Sequence, residues 1–192
     1  MIKGCPPRRL RKIIFLDRDG VINHFPGMGA YVTRLNEFRF IPGAIEAIRL
    51  LTGAGFEVNV ISNQGCVSRG LISLGTLRRL TVKMAGQIHK AGGQLDGIFY
   101  CVHQISDKCR CKKPNVVLFK KALGRRRFPL SGVFFIGDSK EDVEAARNLK
   151  CRPLLVLSGR TKRKDLGFFK PKPDVVKKNL LDAVRWILQK KS

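Results

Sequence analysis

The sequence predicts an α/β fold, a parallel sheet covered on both faces by helices, and three observations lead there. Short apolar runs alternate along the chain with segments of helical period, in a strand, helix, strand order. Runs such as "IIFL" and "FFIG" are apolar at every position, as strands buried on both sides are. Finally, acids, hydroxyls, amides and glycines gather just after the apolar runs, where the loops beyond the carboxyl ends of parallel strands carry function. With 192 residues, 44% of them hydrophobic, the chain is long enough for one domain over 1–192. A domain of this size buries roughly two-thirds of its unfolded surface.

In chain order, residues 12–16 read as the first strand. Residues 44–54 carry Ile45, Ile48 and Leu51 at helical spacing and stop at Gly55, and "FEVNVIS" follows as the second strand. Leu74, Leu77, Leu80, Met84 and Ile88 draw a helical stripe ahead of "GIFYCV", the third strand. Then come a helix in "VVLFKKAL", a fourth strand in "GVFFIGD", a helix over 141–149 and a fifth strand in "PLLVLSG". A last helix over 180–189 carries Leu180, Val184 and Ile187, and a basic segment, residues 1–11, precedes the first strand.

Composition narrows the class and leaves one question open. Lys and Arg number 38 against 14 Asp and Glu, a formal charge of +24. The cations collect in "RRLRK", "KCRCKK", "KKALGRRRF" and "GRTKRK". Such a field attracts a nucleic acid or a small phosphorylated substrate, and a solvated basic surface gives the same scatter. Only Phe128, Phe168 and Phe169 interleave with these runs, so no platform for stacking bases is visible. Near the amino end only four apolar residues, 13–16, precede the return of charge. A signal peptide needs about 7–15. No run approaches the roughly 18 apolar residues of a membrane span. These features predict a soluble, cytoplasmic protein, expected to be a monomer. Three of the six cysteines crowd with a histidine into "CVHQISDKCRC" while the others lie apart, which speaks for reduced thiols or metal ligands and against a disulfide framework.

Four strand tips carry the chemistry. In "DRDG", Asp17 and Asp19 are one residue apart, so on an extended backbone both face one site while Arg18 faces elsewhere. An aspartate attacks phosphorus to form an aspartyl-phosphate, and a second carboxyl protonates the leaving alkoxide and then activates water. An ordinary turn also uses Asp and Gly. In "ISNQG", Ser62 and the Asn63 backbone can donate to phosphate oxygens without adding charge. In "CKKP", Lys113 can neutralise a transferring phosphoryl group. In "IGDSKED", Asp138 can complete an oxygen-rich magnesium site with Asp17, and Asp142 caps or charges the start of a helix. Each tip has a bland reading alone; together they describe one phosphoryl-transfer site.

The order "FLDRDGVIN", "ISNQ", "CKKP", "IGDSKED" resembles the four motifs of the haloacid dehalogenase superfamily of phosphatases. The "DRDG" form and the cysteine loop are similar to the D-glycero-D-manno-heptose 1,7-bisphosphate phosphatases, with the histidinol-phosphate phosphatases as near relatives. The resemblance implies a Rossmann-like sheet of five parallel strands in the order 5-4-1-2-3 with no large cap domain. It implies Asp17 as nucleophile and Asp19 as acid and base. Magnesium would be held by the Asp17 carboxylate, the Asp19 backbone carbonyl and Asp138. Ser62 and Lys113 would hold the transferring phosphate, and Arg18, Asn23, Asn63, Gln64, Arg69 and Lys112 would meet the substrate. Cys66 stands where the family usually has a small residue.

The loop over 101–111 is informative by itself. Cys101, His103, Cys109 and Cys111 form C-x-H, five residues, then C-x-C: three thiolates and an imidazole, a closed set suited to structural zinc that leaves no open position for hydrolysis. The function expected from all of this is a magnesium-dependent phosphatase removing the 7-phosphate of the heptose bisphosphate, toward nucleotide-activated heptose for lipopolysaccharide. The alternatives are histidinol-phosphate phosphatase, a polynucleotide 3′-phosphatase, or a nucleic-acid-binding protein on the same scaffold. The favoured partner is the small phosphorylated substrate.

Overall fold

A computed structural model describes residues 12–190. The basic segment 1–11 expected ahead of the first strand lies outside the described residues. Six strands form one parallel sheet: β1 (Lys12–Leu16), β2 (Phe56–Asn63), β3 (Gly97–Cys101), β4 (Phe134–Gly137), β5 (Arg152–Val156) and β6 (Val175–Lys177). Their order is β3-β2-β1-β4-β5-β6. The expected five strands keep their expected neighbours; the correction is a sixth at the β5 edge, where Leu154, Leu155 and Val156 pair with Val175, Val176 and Lys177. Three residues between Pro173 and the last helix are too few for a periodic signal, and their lysine neighbours disguise them as a charge run.

β1 shows why the sheet is covered twice. Ile14 and Leu16 point into a core with α1 (Ala44–Gly53), α2 (Leu74–Lys90) and α5 (Leu180–Gln189). Ile13 and Phe15 point the other way, against α3 (Val117–Leu123) and α4 (Lys140–Leu149). All four are at most 4% exposed, so the alternation of side chains divides one strand between two apolar layers. On the second face Phe15, Phe119 and Phe135 meet edge to face with ring centroids 5.1 and 4.9 Å apart. Such pairs stabilise by about 0.5–1.5 kcal/mol each beyond their buried area.

The helices start where the side chains allow. Ser73 accepts from the Thr76 amide at the head of α2, and Asn179 accepts from the Asp182 amide at the head of α5. Ser139 and Asp142 form a capping box on α4, which fixes the geometry of the loop after β4. Between β1 and α1 the chain runs without a helix or a strand, and isolated bridges join Asn23 to Asp19 and to Phe40. No helix among the described residues is long and apolar enough to cross a membrane.

Candidate active site

The sheet order reverses between β1 and β4, whose connections leave in opposite directions, and a crevice opens there beyond the carboxyl ends of the strands. A cavity of about 350 Å³ occupies it. Asp17, Asp19, Ser62, Asn63, Lys113 and Asp138 line its floor and walls, and Arg69, Lys112 and Arg160 stand around its mouth. Thus the four tips singled out from the sequence converge on one space.

Lys113 ties the floor together. Its Nζ lies 2.9 Å from Asp17 Oδ1, 2.7 Å from Asp142 Oδ1 and 3.0 Å from the Ile61 carbonyl, and 5.2 Å from the Phe135 ring centroid. Burial works against its charge, yet Asp142 and Asp17 outweigh burial and hold the ammonium above its ordinary pKa. The Asn63 amide fixes the backbone behind it, accepting from the Lys113 N–H at 3.0 Å and donating to the Lys113 carbonyl at 3.3 Å.

The acids outnumber that lysine. Asp17, Asp138 and Asp142 are each at most 8% exposed and offer oxygens all within 4.8 Å of one another. Burial, opposed by Lys113 and joined by Asp142 and Asp19, raises Asp17 from 3.8 to about 6. Asp138 is raised well above its ordinary value, by burial first and then by Asp142 and Asp17. Asp142 is already satisfied: its Oδ2 accepts from the Asp138 and Ser139 amides and the Ser139 hydroxyl, and its Oδ1 meets Lys113. The two raised acids are those that divalent magnesium would relieve, so the donor set fits a hard cation with oxygen ligands. Glycines leave the room: a Cβ on Gly20, at φ 81°, or on Gly159 would run into the Asp138 carboxylate.

Asp19 has a different environment. Arg18, Asn23 and Gln64 donate to its carboxylate at 2.7–3.3 Å. These three were expected to meet the substrate. Instead they are at most 1% exposed, beneath Asp19, and line none of the cavity. Ser62 does line it, and its Oγ accepts from Gln64 Nε2 at 3.2 Å. Residues that the sequence reading missed include Asp142 as a partner of Lys113, and the wall formed by residues 25–31. In that wall Tyr31 carries the Arg69 guanidinium 5.6 Å from its ring centroid, and Met28 is 71% exposed. The only signal for it was the glycine spacing in "FPGMGAY".

Cys101, His103, Cys109 and Cys111 come together at the end of β3. Their sulfurs are 3.3–3.6 Å apart, and His103 Nδ1 is 3.2 Å from Cys111 Sγ and 3.8 Å from Cys101 Sγ. Disulfides need about 2.05 Å. A tetrahedral zinc with Zn–S bonds of about 2.3 Å has S···S edges near 3.8 Å, so the four groups fit that ion. Burial pushes Cys101 up to about 12. Burial also opposes ionisation of Cys109, but the amides of Cys111 and Lys112 and the neighbouring thiols bring it down to about 7.

Known proteins are similar to this chain in sequence and in fold. A family model described as "HAD-hyrolase-like" matches residues 110–183. D-glycero-beta-D-manno-heptose-1,7-bisphosphate 7-phosphatase of Pseudomonas putida is 38% identical over 152 residues, 79% of this chain and 86% of that protein. The enzyme of the same name from Neisseria meningitidis serogroup A is 33% identical over 93% of this chain and 95% of its own. A crystal structure of D,D-heptose 1,7-bisphosphate phosphatase from B. bronchiseptica, complexed with magnesium and phosphate, superposes with a TM-score of 0.87 at 35% identity, covering 93% of this chain and 99% of that one. Fold and identity over most of both chains agree: this chain is a phosphoric monoester hydrolase and belongs to the D-glycero-D-manno-heptose 1,7-bisphosphate phosphatase family of the haloacid dehalogenase superfamily.

Proposed function

We propose that this protein removes the 7-phosphate of D-glycero-D-manno-heptose 1,7-bisphosphate, leaving the 1-phosphate that a nucleotidyl transfer toward lipopolysaccharide heptose would consume. The observation that carries the reading is the division of cations. Lys113 is on the cavity floor against Asp17, whereas Arg69 and Lys112 are at the mouth, so the cavity has positive charge for both ends of a bisphosphate. The names of the relatives support the same substrate.

The chain's own residues suffice to write the steps. Asp17 attacks phosphorus while the bond to the sugar oxygen breaks, and Asp19 gives its proton to the departing alkoxide. Asp19 then takes a proton from water as that water attacks the aspartyl-phosphate, which returns Asp17 as a carboxylate. The Arg18 amide and Lys113 both hold Asp17 Oδ1, at 2.7 and 2.9 Å, and among the described residues Oδ2 accepts no hydrogen bond. That asymmetry orients one oxygen for attack. Lys113, with the Ser62 hydroxyl and the Asn63 amide N–H, would meet the phosphoryl oxygens as charge develops. The Asp17 and Asp138 carboxylates with the Asp19 carbonyl would hold magnesium, which supplies positive charge to the phosphoryl group. In the loop after β3, Cys101, His103, Cys109 and Cys111 would hold zinc and so fix the approach of Lys112 and Lys113.

The test is phosphate release from a panel of heptose 1,7-bisphosphate, histidinol phosphate and 3′-phosphorylated oligonucleotides. The heptose bisphosphate should give the highest kcat/KM, by at least about tenfold. A higher value on histidinol phosphate or on the oligonucleotides would replace the substrate while leaving the chemistry.

A further inference from the structure

Arg18 is among the largest fully buried side chains of the protein, and a buried guanidinium is costly unless its charge is met. Among the described residues the carboxylate that meets it is that of Asp19. Arg18 Nε and Nη2 donate to Asp19 Oδ1 at 3.3 and 3.0 Å, and Nη2 donates to Oδ2 at 2.9 Å. Its Nη1 has no hydrogen-bond partner among the described residues, and its Cζ is 5.8 Å from the Tyr100 ring centroid. Tyr100 is held in turn by the Thr81 hydroxyl of α2, 3.0 Å away. Two neutral amides complete the set: Asn23 Nδ2 donates to Asp19 Oδ1 at 2.8 Å, and Gln64 Nε2 donates to Oδ2 at 2.7 Å. Cys66 Sγ is 3.8 Å from Gln64 Oε1, so its weak S–H donor matches an amide whose Nε2 faces Asp19.

We infer that Arg18, Asn23 and Gln64 form a positioning cradle for Asp19, setting where its carboxylate stands relative to Asp17 and the leaving oxygen, and are not substrate contacts. Each oxygen is fixed by an amide and by the guanidinium, and the amides come from different segments, Asn23 after β1 and Gln64 after β2. The placement of Asp19 therefore depends on both tips at once. The inference rests on Asp19 being the acid and base.

In the formation of the aspartyl-phosphate, the step that kcat/KM reports, a misplaced acid matters only when the leaving group needs a proton. A sugar alkoxide does; p-nitrophenolate does not. The later hydrolysis, in which Asp19 is the base, is common to every ester. Arg18→Met, Gln64→Leu, Arg18→Lys and Asp19→Asn are to be compared with the parent protein on heptose 1,7-bisphosphate and on p-nitrophenyl phosphate. Asp19→Asn should lose about 10²–10⁴-fold in kcat/KM on the sugar ester and far less on the aryl ester. Gln64→Leu and Arg18→Met should follow in the same direction, with kcat/KM on the sugar ester down about tenfold or more and kcat/KM on the aryl ester within about threefold. Arg18→Lys should recover part of the loss. Equal losses of kcat/KM on both esters, or a raised KM for the sugar ester with kcat unchanged, would overturn the cradle; Gln64→Leu, a neutral exchange, decides the matter if Arg18→Met does not fold. Absence of leaving-group bias in Asp19→Asn itself would instead remove the acid and base assignment.

Discussion

Asp17 is a buried carboxylate with more acids than cations around it, and that imbalance makes its affinity for metal sensitive to pH. Its pKa is raised from 3.8 to about 6, so between those values the folded, metal-free protein holds a proton that the unfolded chain has released. The sign follows: the metal-free fold loses stability as pH rises from about 4 to about 6, because ionising Asp17 there costs more in the fold than in water. Magnesium binding needs the ionised carboxylate and must displace that proton below about 6. Titration calorimetry should therefore find magnesium affinity at pH 5 weaker by about tenfold than at pH 7, with proton release at the lower pH; equal affinities would contradict the raised value. Asp142 shows where residue-level reading stops. Its position one turn after Asp138 announces a helix cap, and it is one. Nothing in the sequence says that its second oxygen faces inward to Lys113, because that depends on how β4 and α4 meet Lys113 across the fold.

The loop after β3 places Lys113 two residues beyond Cys111, while Asn63 grips the same lysine backbone from the end of β2. The lysine on the cavity floor is thus held between a β-strand tip and a candidate zinc site. Cys109→Ser should leave three ligands, abolish zinc retention and lower kcat through displacement of Lys113. A destabilisation of about 3 kcal/mol would lower Tm by roughly 6–12 °C in a chain of this length. Zinc content by emission spectrometry and a thermal melt check this; a variant with unchanged Tm would mean that the four groups do not hold a structural metal. This loop was legible because spacing and ligand type coincide in one short stretch. β6 was not, because Val175–Lys177 gains its place from pairing with β5 and not from any local pattern. Residues 25–31 escaped for the same reason: irregular backbone has no period, and only folding brings it over the cavity.

At the scale of the molecule, the formal charge of +24 and the acidic floor belong together. Four of the 14 acids, Asp17, Asp19, Asp138 and Asp142, are committed to the site, three of them in one cluster. Between Glu57 and Asp96, and again between Asp107 and Asp138, the chain has no acid at all. The second stretch carries Lys112 at the cavity mouth and Lys113 on its floor. Such a field attracts phosphorylated anions, while the local carboxylates make the cavity floor a place suited to a cation. The parallel sheet and the meeting of the four tips were readable because each apolar run ends in chemistry and parallel strands send those ends to one side. The cradle beneath Asp19 was not: Arg18, Asn23 and Gln64 read as residues for the substrate until burial and hydrogen bonding turned them toward Asp19.

The central claim is that Asp17 carries the phosphoryl group. Rapid acid quench of the protein turning over heptose bisphosphate labelled in its 7-phosphate measures this most directly. Label should appear on the protein within the first turnover and map to Asp17, and Asp17→Asn should show neither label nor turnover while keeping its thermal stability and zinc content. Label on another residue, or appreciable turnover by Asp17→Asn, would contradict the account.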